Sequence, residues 1–263
     1  MRLEAVSVCV NYADILNVVA PYNLAVLDRW LIVTSEEDEE TREVCRKFSI
    51  ETLISNDHKR DGAEFAKGRL VEAGLRQLST DCWHLHMDAD IVLPRMTRRI
   101  LESAHLDESK IYGCDRIMVK SWDGWQKLLS SKWLDMHADY HCRINFPAGF
   151  DVGTRWANPG TGYVPIGFFQ LAHADSIEYR GFRQRGYSVR HNDACRSDVQ
   201  YGLKWDRRQR ELLAELIVAH LESEPAKLGA NWNGRTTRRF EPSKVAPIEA
   251  KPVDPPPSCG RLS

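Results

Sequence analysis

Apolar residues fall into short runs separated by polar, helix-compatible stretches along the first half of the chain. Ala5–Val10, Arg29–Thr34, Glu51–Ser55 and Trp83–Met87 each read as a strand. Between the last two, Ala66, Leu70, Gly74, Leu75 and Leu78 share one face at helical spacing, which predicts a helix over Ala63–Leu78. Ser35 stands where it would cap a helix after the second run, with Asp38 at the capping-box position. The acidic stretch Glu36–Glu40 then falls at a helix N-terminus, where negative charge is favourable, so it needs no ligand to explain it. Further on, Asp115–Val119 reads as a strand and Trp122–His137 as a helix with Trp125, Leu128, Leu129 and Trp133 on one side. Ile166–Ala172 and Glu215–His220 read as late strands. Strands alternating with helices predict an α/β fold, a mainly parallel sheet flanked by helices. Residues 145–165 turn rich in Gly, Pro and Asn, which is long for a structureless connection and marks a functional loop.

Composition narrows the class without changing it. The 263 residues are 43% hydrophobic and 28% charged, which excludes collagen, coiled coil and full disorder. No linker interrupts residues 1–240, so one domain is expected there, with a boundary of halves near 94/95 and an acceptor-side loop at 145–170. The Pro-rich segment 241–263 cannot bury a core and is expected to be disordered. No apolar run approaches the roughly 20 residues of a membrane span, and no secretory leader opens at Met1-Arg2-Leu3-Glu4, so a cytoplasmic protein is expected. Seven cysteines without a Cys-x-x-Cys pair predict reduced, buried thiols and no zinc knot.

The net charge of −1 hides an asymmetry. Residues 1–140 carry 18 basic and 24 acidic side chains, whereas residues 141–240 carry 15 and 10. In that second segment Arg180, Arg183, Arg185, Arg207, Arg208, Arg210, Arg238 and Arg239 stand among Trp156, Tyr163, Phe168, Phe169, Tyr179, Phe182 and Tyr187. Such a mixture suits phosphates and stackable rings, with a solvated face over a core as the plainer alternative.

The candidate chemistry concentrates in Cys82-Trp83-His84-Leu85-His86-Met87-Asp88-Ala89-Asp90-Ile91-Val92-Leu93-Pro94. A strand that ends in Asp88-x-Asp90 delivers two carboxylates to the edge where open α/β sheets bind ligands. Two hard oxygen donors there favour Mg²⁺ or Mn²⁺, and such an ion bridges diphosphate oxygens. Exposed Asp pairs in turns are the competing explanation.

At these residues the chain resembles the metal-dependent glycosyltransferases of the GT-A fold, a Rossmann-like α/β architecture, and among them bacterial and phage members. The likeness runs over about residues 5–240 and includes Phe65-x-Lys67-Gly68 upstream of the Asp-x-Asp string. It implies that Asp88 and Asp90 bind the ion and the nucleotide sugar, that Asn11 and Tyr12 lie by the base, and that Lys67 approaches the nucleotide. It implies a third ion ligand after the last core strand, where Leu216-Ile217-Val218-Ala219-His220-Leu221 offers His220, although a His in such a place is often simply packed in the core. Gly229-Ala230-Asn231-Trp232-Asn233-Gly234-Arg235 would close over the diphosphate, with Arg235 as phosphate partner and Trp232 as cover, or form an ordinary surface turn. For the base that activates the acceptor, Asp198 resembles the family position because Val199, Tyr201 and Leu203 follow it, and Asp193 is the reserve. The family's usual Glu-Asp pair is missing there, which leaves the stereochemical outcome open.

The expected reaction is sugar transfer from a nucleotide-diphosphate sugar, UDP-linked, to a hydroxyl. The Arg-rich second segment points to 5-hydroxymethylcytosine in phage DNA as acceptor, ahead of a cell-envelope or protein-linked glycan. A haloacid dehalogenase-type phosphatase fits Asp88-x-Asp90-x-Val92 and Asp193 with Asp198, but its nucleophile follows the first core strand. A zinc site on His137-x-x-x-His141 and Cys142 lacks a clear fourth ligand. A non-catalytic nucleotide-sugar or nucleic-acid binding module is the remaining alternative.

Overall fold

The computed structural model describes residues 1–62, 65–135, 148–150, 157–176, 204–222 and 239–242. Strands β1 (Leu3–Val8), β2 (Arg29–Thr34), β3 (Glu51–Ile54) and β4 (Trp83–Met87) alternate with helices α1 (Ala13–Asn23), α2 (Glu39–Phe48) and α3 (Lys67–Leu75). The two-residue strand β5 (Ile91–Val92), helix α4 (Thr97–Ser103), strand β6 (Ile111–Val119) and helix α5 (Trp122–Ser130) follow. Strands β7 (Ala157–Asn158) and β8 (Gly162–Tyr163) pair with each other, and β9 (Phe169–His173) and β10 (Arg210–Leu221) complete the described elements.

Eight strands form one sheet in the order β3-β2-β1-β4-β9-β6-β10-β5, so residues from both expected halves share it. The α/β class holds, and the sheet is mixed but mainly parallel, with four parallel pairings and three antiparallel ones. β3, β2, β1 and β4 run parallel, as do β6 and β10, whereas β9 is antiparallel to both its neighbours and β5 to β10. One reversed strand between two parallel blocks leaves β4, β6 and β10 pointing the same way. The carboxyl ends of β1, β4, β6 and β10 therefore meet at one edge.

The inner strands are buried on both faces, which is why β1 and β2 read as near-continuous apolar runs. On one face Ile15, Leu16 and Val19 of α1, Ile100 of α4 and Trp125 and Leu128 of α5 share a core with Ala5, Ile32 and Leu85. On the other, Leu70, Val71 and Leu75 of α3 pack against Val6, Leu31 and Val33. Gly74 permits that close approach, because a methyl group there would collide with Val6 and Val33.

Several boundaries differ from the sequence reading for local reasons. β1 lies two residues earlier than Ala5–Val10. α2 is capped by Asp38, whose carboxylate accepts from Thr41 N at 3.1 Å, and not by Ser35. α3 begins only at Lys67, after a 3-10 turn over Asp57–Gly62. α5 stops at Ser130, and Lys132 at φ 57° turns the chain into a 3-10 turn at Trp133–Asp135. Cys9, Cys45, Cys82 and Cys114 are buried free thiols whose pKa values burial raises, which fits inert core residues. Cys142, Cys195, Cys259, the His137/His141 pair and the chain from 243 onward lie outside the described residues. Among the described residues no helix is long and apolar enough to cross a membrane.

Candidate functional site

The shared carboxyl edge gathers the described candidates. Asp88 follows β4 directly, and Asp90 precedes β5 in the turn closed by Ile91 N donating to Asp88 O at 3.3 Å. The antiparallel pairing of β5 with β10 sets His220 opposite Ile91, and Leu221 N donates to Asp90 O at 2.9 Å. This ladder brings His220 Nε2 to 3.1 Å from Asp90 Oδ2, across 130 residues of sequence. Burial works against a proton on His220 and Arg116 opposes it further, yet the Asp90 carboxylate prevails and its pKa lies above the ordinary histidine value.

Two buried polar atoms at this contact have no hydrogen-bond partner: Asp90 Oδ1 and His220 Nδ1. His220 Nδ1 faces Glu222 Oε1 at 3.9 Å, whereas Asp90 Oδ1 is a buried carboxylate oxygen without a hydrogen-bond partner, which is rare and suits a ligand. The 3.1 Å separation of Nε2 and Oδ2 also matches the spacing of about 3 Å between adjacent ligands in an octahedral shell of Mg²⁺ size. Asp90 and His220 are thus a donor pair of the kind a divalent ion takes, whereas the group of three whose ligand atoms already lie within 4.8 Å of one another among the described residues is Asp81, His173 and Asp175.

Asp88 is held differently. Lys67, the first residue of α3, places Nζ 2.5 Å from Asp88 Oδ1, and both side chains are largely shielded. Burial pushes the Asp88 carboxyl up, but Lys67, then His86 and His220, outweigh it and hold it below the ordinary Asp value. The sequence expects Lys67 near the nucleotide; in the structure it lies on the first carboxylate of the Asp-x-Asp pair. His86, two residues before Asp88, has Nδ1 at 2.9 Å from Gln170 Oε1, and Gln170 Nε2 donates to Pro165 O at 3.0 Å. That chain ties β4 to β9 and to the described end of the 145–170 loop.

Asn11, three residues beyond β1, has φ 63°, a left-handed conformation that Asn tolerates better than most residues. Its backbone N donates to Asp38 Oδ2 at 2.8 Å, and the same oxygen accepts from Thr41 Oγ1 at 2.7 Å. Asp38 thereby fixes the Asn11-Tyr12 turn to the start of α2. Asn23, fully buried at the end of α1, donates to Ile91 O at 2.8 Å and accepts from Leu93 N at 2.9 Å. It stands in for a neighbouring strand and clamps the segment after Asp90.

Sequence reasoning assigned Asp38 only a place in a capping box and missed Asn23 and Arg116. The signal for Arg116 was present, since a cation inside the apolar strand Ile111–Val119 is costly without a purpose. Asp193, Asp198, Trp232 and Arg235 lie outside the described residues. Of the arginines behind the nucleic-acid reading, Arg210 donates to Trp205 O and Thr161 O, and Arg239 pairs with Glu40 at 2.7 Å. Arg207 and Arg208 are exposed, and Arg180, Arg183, Arg185 and Arg238 lie outside the described residues.

No protein-family model and no curated protein matches the chain. Solved structures do. Glucosyl-3-phosphoglycerate synthase from Mycobacterium tuberculosis, in complex with Mn²⁺, UDP-glucose and phosphoglyceric acid, is 14% identical with a TM-score of 0.46, over 88% of this chain and 76% of that one. A nucleotidyl transferase from Methanothermobacter thermautotroptrophicus is 13% identical with a TM-score of 0.41, over 85% and 88%. Mannosyl-3-phosphoglycerate synthase from Rubrobacter xylanophilus is 19% identical with a TM-score of 0.37, and the match spans 44% of this chain and 40% of that chain. What the present chain does is argued from its own residues.

Proposed function

We propose that the chain is a metal-dependent glycosyltransferase that moves a hexose from a UDP-sugar to an acceptor hydroxyl. The observation that carries this reading is the contact of Asp90 with His220 beside Asp88, at the carboxyl edge of the sheet, with Asp90 Oδ1 buried and left without a hydrogen-bond partner. Bound Mn²⁺ or Mg²⁺ would supply Lewis-acid neutralisation of the departing diphosphate. Asp88, Asp90 and His220 would hold the ion. Lys67 adds a second positive charge on the same flank, where it faces charge that grows on the leaving group. The Asn11-Tyr12 turn, locked by Asp38, takes the base of the nucleotide. Asp198 is the proposed acceptor base with Asp193 in reserve, while Trp232 and Arg235 cover the diphosphate.

The acceptor is the open half of the reaction. With Arg210 and Arg239 engaged inside the chain, the surface favours 5-hydroxymethylcytosine in DNA less than the sequence did. Incubation with Mn²⁺, a panel of UDP-sugars and a panel of acceptors tests the reading, with duplex DNA containing or lacking 5-hydroxymethylcytosine beside glycans and small hydroxylated acids. Sugar transfer that stops in excess EDTA is the expected result. Transfer or donor hydrolysis unaffected by EDTA would overturn it.

A further inference from the structure

β6 carries a cation that the reaction as described leaves without work. Arg116 pairs in register with Val218, and Met118 with His220, so Arg116 and His220 share one face of adjacent strands, two positions apart. Its guanidinium carbon lies 4.4 Å from the centre of the Phe168 ring, which is itself buried. Its Nε is buried and has no hydrogen-bond partner. Several other described arginines are paired: Arg29 with Glu51, Arg95 with Asp135, Arg98 with Asp28, Arg239 with Glu40. No carboxylate among the described residues pairs with Arg116.

A guanidinium flattened on an aromatic ring keeps its edge free for the bidentate grip on a phosphate or carboxylate that suits its fork. Leaving a buried donor unmade is costly in the free protein, and an anionic ligand removes that cost on binding. The strand order says which ligand brings the anion. The Asn11-Tyr12 turn belongs to β1, on one side of β4, whereas β9, β6 and β10 lie on the other. Arg116 is therefore on the flank of Asp88 opposite the nucleotide, across from the diphosphate and on the side where an acceptor would enter. Its partly buried place, stacked on Phe168 and sharing a face with His220, suits a compact anion better than the backbone of a duplex.

We infer that Arg116 is the anion-binding residue of the acceptor subsite and that the acceptor is a small hydroxylated compound bearing a phosphate or carboxylate. The inference rests on the glycosyltransferase reading and narrows its acceptor class.

Calorimetric titration with inorganic phosphate and with glycerol 3-phosphate, each with and without saturating Mn²⁺ and UDP, tests it. The proteins are the wild type, Arg116→Gln and Arg116→Lys, with thermal melts to confirm folding. Phosphate binding should weaken about tenfold or more in Arg116→Gln and less in Arg116→Lys, with UDP affinity within about twofold of wild type. Glycerol should not bind, and duplex DNA should not displace phosphate. Loss of UDP affinity in Arg116→Gln would move the residue to the donor diphosphate and overturn the inference. So would equal phosphate affinity in all three proteins, no phosphate binding by the wild type, or displacement by DNA. Should UDP fail to bind the wild type while phosphate binding still depends on Arg116, the donor reading falls and the anion site stands.

Discussion

The two edges of one sheet hold buried carboxylates in opposite ways. At the amino edge, Glu4 of β1 is fully buried and fully partnered: Ser79 donates from both N and Oγ, at 2.8 and 2.7 Å, and Arg2 and Arg29 lie at 2.7 and 3.4 Å. At the carboxyl edge, Asp90 Oδ1 and Arg116 Nε are buried without a hydrogen-bond partner, and His220 Nδ1 has only Glu222 Oε1 at 3.9 Å. A satisfied buried charge holds a fold together, whereas an unsatisfied one is tolerated because a ligand completes it. On the proposed function, the difference separates residues that stabilise this chain from residues that act.

Breaking the second edge should give the largest effect. Asp90→Ala is expected to lower Mn²⁺-dependent donor turnover on the order of a thousandfold, about 4 kcal/mol, while the melting temperature holds or rises. Steady-state kinetics beside calorimetry measure both. Glu4→Gln should do the reverse, costing about 3 kcal/mol in urea unfolding because it strands Arg2 and the Ser79 donors, with turnover per folded molecule intact. A Glu4 variant with wild-type stability would erase the contrast between the edges.

Asn23→Leu sharpens the comparison, because it removes the bonds to Ile91 O and Leu93 N that hold β5 and through it Asp90 and His220. It should cost about 2 kcal/mol and also weaken Mn²⁺ binding, effects that Glu4→Gln separates.

The smallest effect is on acid stability. Burial raises the Glu4 carboxyl, but Ser79, Arg2 and Arg29 outweigh it and its folded pKa lies below its unfolded value. The stability it contributes is present above the unfolded pKa and is lost as pH falls through the folded one. Glu4→Gln should flatten that acid limb in urea melts taken between neutral pH and acid. An unchanged slope would show that Glu4 does not carry it.

What the sequence disclosed follows the range of the interactions. β2 and β4 were legible to the residue, because apolar runs between polar turns are local signals. α1 was not, since Pro21 sits inside the helix and interrupts its pattern, and β5 is only two residues long. Asp88 and Asp90 were legible from their own spacing at a strand end. The contact of His220 with Asp90 depends on strand pairing across the chain, and the sequence could propose it only through a family likeness. Arg116 was visible as a cation inside an apolar strand, but the face it shares with His220 becomes defined only once β6 is in register with β10.

The claim that the carboxyl edge is an ion-dependent donor site is tested most directly by titrating UDP into the protein with and without Mn²⁺, in the wild type and in Asp90→Ala. The expected result is binding by the wild type that requires Mn²⁺ and disappears in the variant. Equal UDP affinity with and without the ion, or in the two proteins, would contradict it.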